Sequence, residues 1–202
     1  MWKCTNCHRV ELATDKPERC PLCGAEAEKL VSHEVPGIKG MKTLKNLKEG
    51  FVAESQAHQR NLAFAMKAEQ EGYRQVARLF RAIAEAEGIH AFNHLRLLGG
   101  VSETQENLET AFERENLASS TYPQFIKEAN EEDNAHVAMI FSYSRDVERG
   151  HAKLYEKALQ NMLADVSTEY YVCGICGYIS DGVMPEQCPI CGAPRERFRM
   201  VV

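Results

Sequence analysis

The segment ARLFRAIAEAEGIHA at residues 77–91 recurs 61 residues later as AMIFSYSRDVERGHA at 138–152. NLKEGFVAES at 46–55 recurs at the same offset as NLETAFEREN at 107–116, and no gap is needed between the halves. An ungapped repeat of this kind restricts the middle of the chain to two copies of one supersecondary unit. The apolar residues of each copy follow a helical period, so the unit is a pair of helices. The predicted helices run from about 43 to 70 and 73 to 98, with Gly72 at the break and Gly99-Gly100 at the end, then from about 103 to 131 and 134 to 163. Ser102 with Gln105 reads as a capping box opening the third.

Ionisable residues suited to metal binding fall on the repeat. Glu54 pairs with Glu115, Glu87 with Glu148 and His90 with His151, each at the common offset. EGIH and ERGH are both Glu-x-x-His, and residues at i and i+3 on a helix reach the same site. Phe80, Ile83, Phe141 and Leu154 suit an apolar bundle interior, where a carboxylate without a counter-charge is costly. One Glu from each of two helices, with Glu-x-x-His from each of the other two, is the donor set of a ferritin-like di-metal bundle. A lone Glu-x-x-His is usually a solvated face; two, each with a Glu 33 residues upstream, are not coincidence. Glu85, Asp146, Glu131 and Glu132 are expected to face solvent or to support the ligands. His58, His94 and His136 are expected on the surface, and His33 carries no assignable role.

The eight cysteines avoid this region altogether. Cys4, Cys7, Cys20 and Cys23 precede it, and Cys173, Cys176, Cys188 and Cys191 follow it. Each group is Cys-x-x-Cys, a short spacer, then Cys-Pro-x-Cys-Gly. Two such turns facing each other offer four thiolates in a tetrahedron, suited to zinc or a single iron. The local CTNCH at 4–8 matches a haem-attachment signature, but both of its cysteines have partners at Cys20 and Cys23.

The remaining bounds are brief. A net charge of −5 with no dense basic patch argues against nucleic acid. MWKC has no apolar h-region and no run approaches a membrane span, so a cytoplasmic chain without membrane contact is expected. Eight thiols in such a compartment point to metal rather than disulfides.

YVCGICGYISDGVMPEQCPICGAPRERF at 171–198 resembles the short rubredoxin domain of rubrerythrins, and AESQAHQRNLAFAMKAEQEGYRQVARLFRAIAEAEGIHA at 53–91 is similar to the same family. The resemblance covers roughly 43–202. It implies a mainly α fold, a ferritin-like four-helix bundle flanked by two small rubredoxin-like Cys4 domains, divided as 1–35, 43–164 and 168–202. It implies two irons at Glu54, Glu87, His90, Glu115, Glu148 and His151. It also implies one iron at Cys173, Cys176, Cys188 and Cys191 as an electron-transfer centre. WKCTNCHRVELATDKPERCPLCGA at 2–25 is a looser match, with His8 where the other module has Gly177. A glycine there takes up φ > 0 and brings its N–H toward a sulfur more readily than histidine, so iron or zinc is expected at Cys4, Cys7, Cys20 and Cys23. The implied activity is reduction of hydrogen peroxide to water in oxidative-stress defence. A rubredoxin or an NADH-dependent rubredoxin reductase would be the donor. The alternative is a ferritin-like oxidase, O2 reductase or ferroxidase. Family members typically place a seventh carboxylate three residues after the second-half Glu and a Tyr seven after the first; here these are Ala118 and Asn61. Tyr122, in the retained TYP, is expected to hydrogen-bond a ligand carboxylate.

The connection between the halves sets a further expectation. In a ferritin-like bundle the second and third helices run parallel, so the chain between them travels the bundle's length. Residues 99–102 would have to cover about 35 Å, whereas four extended residues reach only about 14 Å. A helix-swapped homodimer is expected, with Glu54, Glu87 and His90 of one chain facing Glu115, Glu148 and His151 of the other. The rival is an up-down bundle with the connection made locally.

Overall fold

The structure, a computed structural model, describes residues 2–7, 10–11, 15–21, 23–35, 37–162 and 167–201. His8 therefore lies outside the described residues. Four long helices dominate: α1 (Met41–Gln70), α2 (Arg74–Leu97), α3 (Thr104–Glu131) and α4 (Ala135–Asn161). They form two compact units, one built on α1 and α2, the other on α3, α4 and the C-terminal cysteine module. No described helix is long and apolar enough to cross a membrane.

Both hairpins turn in the same way. Tyr73 N–H donates to Ala68 O and Asn134 N–H to Ala129 O, both at 2.8 Å. Gly72 (φ 84°) and its repeat equivalent Asp133 (φ 59°) take the left-handed position that such a cap requires. The α3 start differs from expectation. Its N-cap is Glu103, without a side-chain cap bond, and Gln105 donates to Glu109 at 3.0 Å. A carboxylate one turn ahead on the same face captures the amide.

Small residues let the paired helices approach. Ala68 and Ala129, Ala77 and Ala138, and Ala91 and Ala152 are repeat equivalents, and all are buried. In the first hairpin two glycines make room for imidazoles. His58 sits over Gly88 and donates from Nδ1 to Ala84 O at 2.7 Å. His94 sits over Gly50, with Nδ1 buried and without a hydrogen-bond partner among the described residues. Both are half-buried, against the expectation of surface positions. They lie four residues after Glu54 and His90, so the helical period puts them on the ligand face. His136 is exposed as expected.

A methyl at Gly50 would lie 2.8 Å from the His94 ring. Gly50→Ala is therefore expected to cost about 1–2 kcal/mol, overpacking outweighing the helix-propensity gain. Thermal melts of Gly50→Ala and of Gly50→Ala/His94→Ala check this. The penalty should vanish when the ring is removed; an equal penalty in both would contradict the packing argument.

The two cysteine modules share one topology. In the first, β1 (Trp2–Cys4) lies between β2 (Val10–Glu11) and β3 (Leu30–Ser32); in the second, β4 (Tyr170–Cys173) lies between β5 (Ile179–Asp181) and β6 (Phe198–Val201). Cys4 pairs with Leu30 as Cys173 pairs with Phe198. Leu30 and Phe198 are the large buried side chains behind the sulfurs.

Candidate metal centres

All eight cysteines are unbridged. The sulfurs of Cys4, Cys7, Cys20 and Cys23 lie within 4.8 Å of one another, as do those of Cys173, Cys176, Cys188 and Cys191. Cys173 and Cys191 Sγ are 3.8 Å apart, and Cys176 and Cys188 Sγ 3.6 Å. A tetrahedral ion with metal–sulfur bonds of ~2.3 Å sets its sulfurs about 3.8 Å apart, so the donor set fits one ion and is far too open for disulfides.

The C-terminal module's backbone is arranged for charged sulfurs. Burial pushes the Cys173 thiol up, but the N–H groups of Cys176 and Ile175 outweigh it and hold it below its ordinary value. Burial drives the Cys176 thiol well up, opposed by the Tyr178 N–H. Gly177 (φ 83°) makes this turn possible. Its own N–H, however, donates to Cys173 O at 3.0 Å rather than to a sulfur, and Tyr178, one residue on, supplies the sulfur contact. In the first module Asn6 Nδ2 donates to Cys23 Sγ at 3.5 Å.

Each helical hairpin gathers one half of the expected carboxylate and imidazole set. Glu54, Glu87 and His90 offer ligand atoms within 4.8 Å of one another, and Glu115, Glu148 and His151 do the same. His90 Nδ1 lies 2.9 Å from Glu87 Oε2, and His151 Nδ1 lies 3.2 Å from Glu148 Oε2. Two carboxylates and one imidazole per half are the donors that a non-haem di-iron centre takes, so the residues present fit such a group.

The halves differ in environment. The His151 and Glu115 side chains are about one-fifth exposed, whereas that of His90 is 56% exposed. The His90 and Glu54 hydrogen bonds hold the Glu87 carboxyl below its ordinary value. Burial, then the adjoining Glu148, raises the Glu115 carboxyl to about 8.

The C-terminal module covers His151. It is seated on α4: Gly177 faces Val147, and Lys157 pairs with Asp181. His151 Nε2–H donates to Gly177 O at 3.2 Å. That bond leaves Nδ1 on the carboxylate side, the usual arrangement when one imidazole nitrogen takes a metal and the other is anchored to a carbonyl.

Tyr122 stands elsewhere within its own hairpin. Its ring packs against Phe125 and Phe141 at 5.9 and 6.0 Å, and its hydroxyl makes no hydrogen bond among the described residues. Tyr155, absent from the expected set, is the residue near the second half. Burial, then the charges of Glu115 and Glu148, raise its phenol above the ordinary value. It is the repeat equivalent of His94, four residues after a ligand histidine, and that spacing was the available signal. Asn61 donates to Ala57 O at 2.9 Å. Asp146 is held low by Arg145, its ion-pair partner at 2.8 Å.

Without metal, a Glu115 carboxyl raised to about 8 binds a proton that the unfolded chain, with its ordinary value, releases. Its contribution to stability is present at low pH and is lost as pH rises through about 4.5 to 8. Glu115→Gln should remove that loss, so the metal-free variant should melt at or above the wild type at pH 8 while binding less iron. A lower melting temperature in the metal-free variant at pH 8 would contradict the burial of this carboxyl.

Comparison with known proteins bears on the bundle and on the C-terminal module. The family model described as Rubrerythrin matches residues 45–106 and 106–172, and that of the rubrerythrin rubredoxin-like domain matches 171–199. Nigerythrin of Nitratidesulfovibrio vulgaris is 33% identical over 77% of this chain and 85% of its own length. Rubrerythrin of Porphyromonas gingivalis is 34% identical over 80% of this chain and 90% of its own. A solved structure of fully reduced, all-ferrous nigerythrin covers 85% of this chain and 91% of its own, at 32% identity and a TM-score of 0.49. With its Glu/His repeat, its C-terminal Cys4 module and this similarity along most of its length, the chain belongs to the rubrerythrin family.

Proposed function

We propose that the chain is a cytoplasmic non-haem di-iron peroxidase. It would turn one hydrogen peroxide, two electrons and two protons into two waters, with electrons relayed through the C-terminal Cys4 centre. The supporting observation is the seat of that module on α4, where the carbonyl following Cys176 accepts from His151 Nε2. A hydrogen bond from a candidate ligand imidazole to the cysteine module supports electron delivery rather than a role confined to stapling the fold.

When bound, an iron pair supplies one reducing electron from each ion. Glu54, Glu87 and His90 hold one side of it, and Glu115, Glu148 and His151 the other. His151 keeps its Nε2 proton on Gly177 O, which fixes its ring and leaves Nδ1 free to bind. Glu115, the carboxyl that most favours its proton, gives that proton up on loading. Tyr122 is assigned to hydrogen-bond a ligand carboxylate. Cys173, Cys176, Cys188 and Cys191 hold one iron; Cys4, Cys7, Cys20 and Cys23 hold iron or zinc. The domains run 1–35, 43–164 and 168–202, and the reductant is a rubredoxin or an NADH-dependent rubredoxin reductase.

Metal analysis and reductase-driven peroxide consumption test this reading. Iron at the bundle and at the C-terminal module with sustained peroxide turnover is expected; zinc alone in the cysteine modules would remove the internal donor and overturn it. Ala118 favours a second reading. Without a carboxylate there the donor set is symmetric, as in ferritin-like oxidases, and faster reoxidation of the ferrous protein by O2 than by peroxide would select that reading.

A further inference from the structure

Among the described residues, the C-terminal cysteine module meets α4 at two polar points. Gly177 O, in the turn after Cys176, accepts from His151 Nε2 at 3.2 Å. Asp181, the last residue of β5, pairs with Lys157. Lys157 lies six residues beyond His151, about 9 Å farther along the helix and about 120° around it. Two contacts off one line fix the module's rotation as well as its position, whereas a single hydrogen bond acts as a pivot.

Packing does not fix that rotation by itself. At the first point Gly177 faces Val147, which is buried. At the second, the end of α4 and β4 stand apart across an open cleft of about 400 Å³, lined by Leu154, Lys157, Asn161, Thr168 and Tyr170 among others. From the wall of this cleft the Lys157 side chain, 63% exposed, reaches that of Asp181, 30% exposed. Their mutual hydrogen bond holds the ammonium above its ordinary value and the carboxyl below its own, so both are charged at neutral pH. Small polar contacts between two parts of one chain leave relative motion as the default, and one neutral hydrogen bond contributes little net free energy. The seated fraction therefore responds to each further contact.

We propose that Lys157 and Asp181 form a positioning clamp for electron delivery, which holds the Cys173/Cys176/Cys188/Cys191 centre in the orientation that keeps Gly177 O on His151. Neither residue belongs to that cysteine set or to the Glu/His set, so the pair acts only through the seat. Each transfer oxidises the iron of the cysteine centre by one electron and reduces one iron of the bundle pair. Two transfers follow each peroxide, and the external reductase resupplies both electrons. The inference rests on the electron relay given under Proposed function and names the residues that set its rate.

The test mixes fully reduced, iron-loaded protein with one equivalent of hydrogen peroxide and follows oxidation of the C-terminal cysteine centre by its visible absorption. Lys157→Met and Asp181→Asn should slow this phase about two- to five-fold at low salt, the shift in seated population that an exposed ion pair supports. Asp181→Lys, which sets like charges together, should slow it further. Lys157→Asp/Asp181→Lys should recover the wild-type rate to within about twofold. The wild-type rate should fall to that of Lys157→Met between about 0.01 and 1 M salt, as the screening length drops from about 30 to 3 Å, and the Lys157→Met rate should stay flat. Bundle iron, the potential of the cysteine centre and the bundle's own reaction with peroxide should match wild type throughout. Unchanged transfer in Lys157→Met and Asp181→Asn, or equal salt dependence in Lys157→Met and wild type, overturns the clamp. A wild-type cysteine centre that stays reduced while the bundle iron is oxidised overturns the electron relay itself, and the inference with it.

Discussion

Cys188→Ser is expected to abolish peroxide turnover driven by an external reductase while sparing the reaction of the pre-reduced bundle with one equivalent of peroxide. Cys188 is 3% exposed and shares the module's core with Cys173, Ala193 and Phe198. A serine oxygen is a poor substitute for a thiolate at a soft-metal site, so the centre either fails to load or shifts its potential. The Glu/His set on α3 and α4 does not include this residue. Steady-state assays with reductase, set beside single-turnover mixing of chemically reduced protein, separate the two effects. Undiminished steady-state turnover would place the electron entry elsewhere.

Glu148→Ala is the reciprocal case. Glu148 lies beside both Glu115 and His151, whose Nδ1 is 3.2 Å from its Oε2. Removing it takes away one of three donors in its half and the acceptor that orients the imidazole. Bundle iron and peroxide turnover should both be lost, while the C-terminal Cys4 centre keeps its iron and its visible absorption. The fold should survive, since replacing a half-buried carboxylate in a metal-free bundle removes a desolvation cost. Retained turnover in this variant would exclude the Glu/His set as the reactive centre.

What could be read from the sequence follows from the repeat. A constant offset picks out six candidate ligands at once, because it ties each carboxylate and histidine to a second copy of itself; each hairpin brings its own three together. The cysteine spacing does the same for the two modules. Contacts between elements distant in the chain were not legible. Nothing in the spacing of Lys157 and Asp181, or of His151 and Gly177, shows that the module sits on α4. The difference between Glu87 and Glu115 could not be read for the same reason, since it is set by what covers each half. His58 and His94 were misjudged because a histidine outside a metal motif is usually exposed; the glycines opposite them, Gly88 and Gly50, carry the missing information. The start of α3 differs by one residue, with Glu103 at the N-cap rather than Ser102.

The central claim joins two centres: peroxide reacts at the Glu/His set and draws electrons from the C-terminal cysteines. The most direct measurement mixes the fully reduced, iron-loaded protein with hydrogen peroxide and follows oxidation of the Cys173/Cys176/Cys188/Cys191 centre by its visible absorption. Fast oxidation, faster than with O2 and abolished in Glu148→Ala, is the expected result. Oxidation at an unchanged rate in Glu148→Ala would contradict the claim, because peroxide would then be reaching the cysteine centre without the bundle.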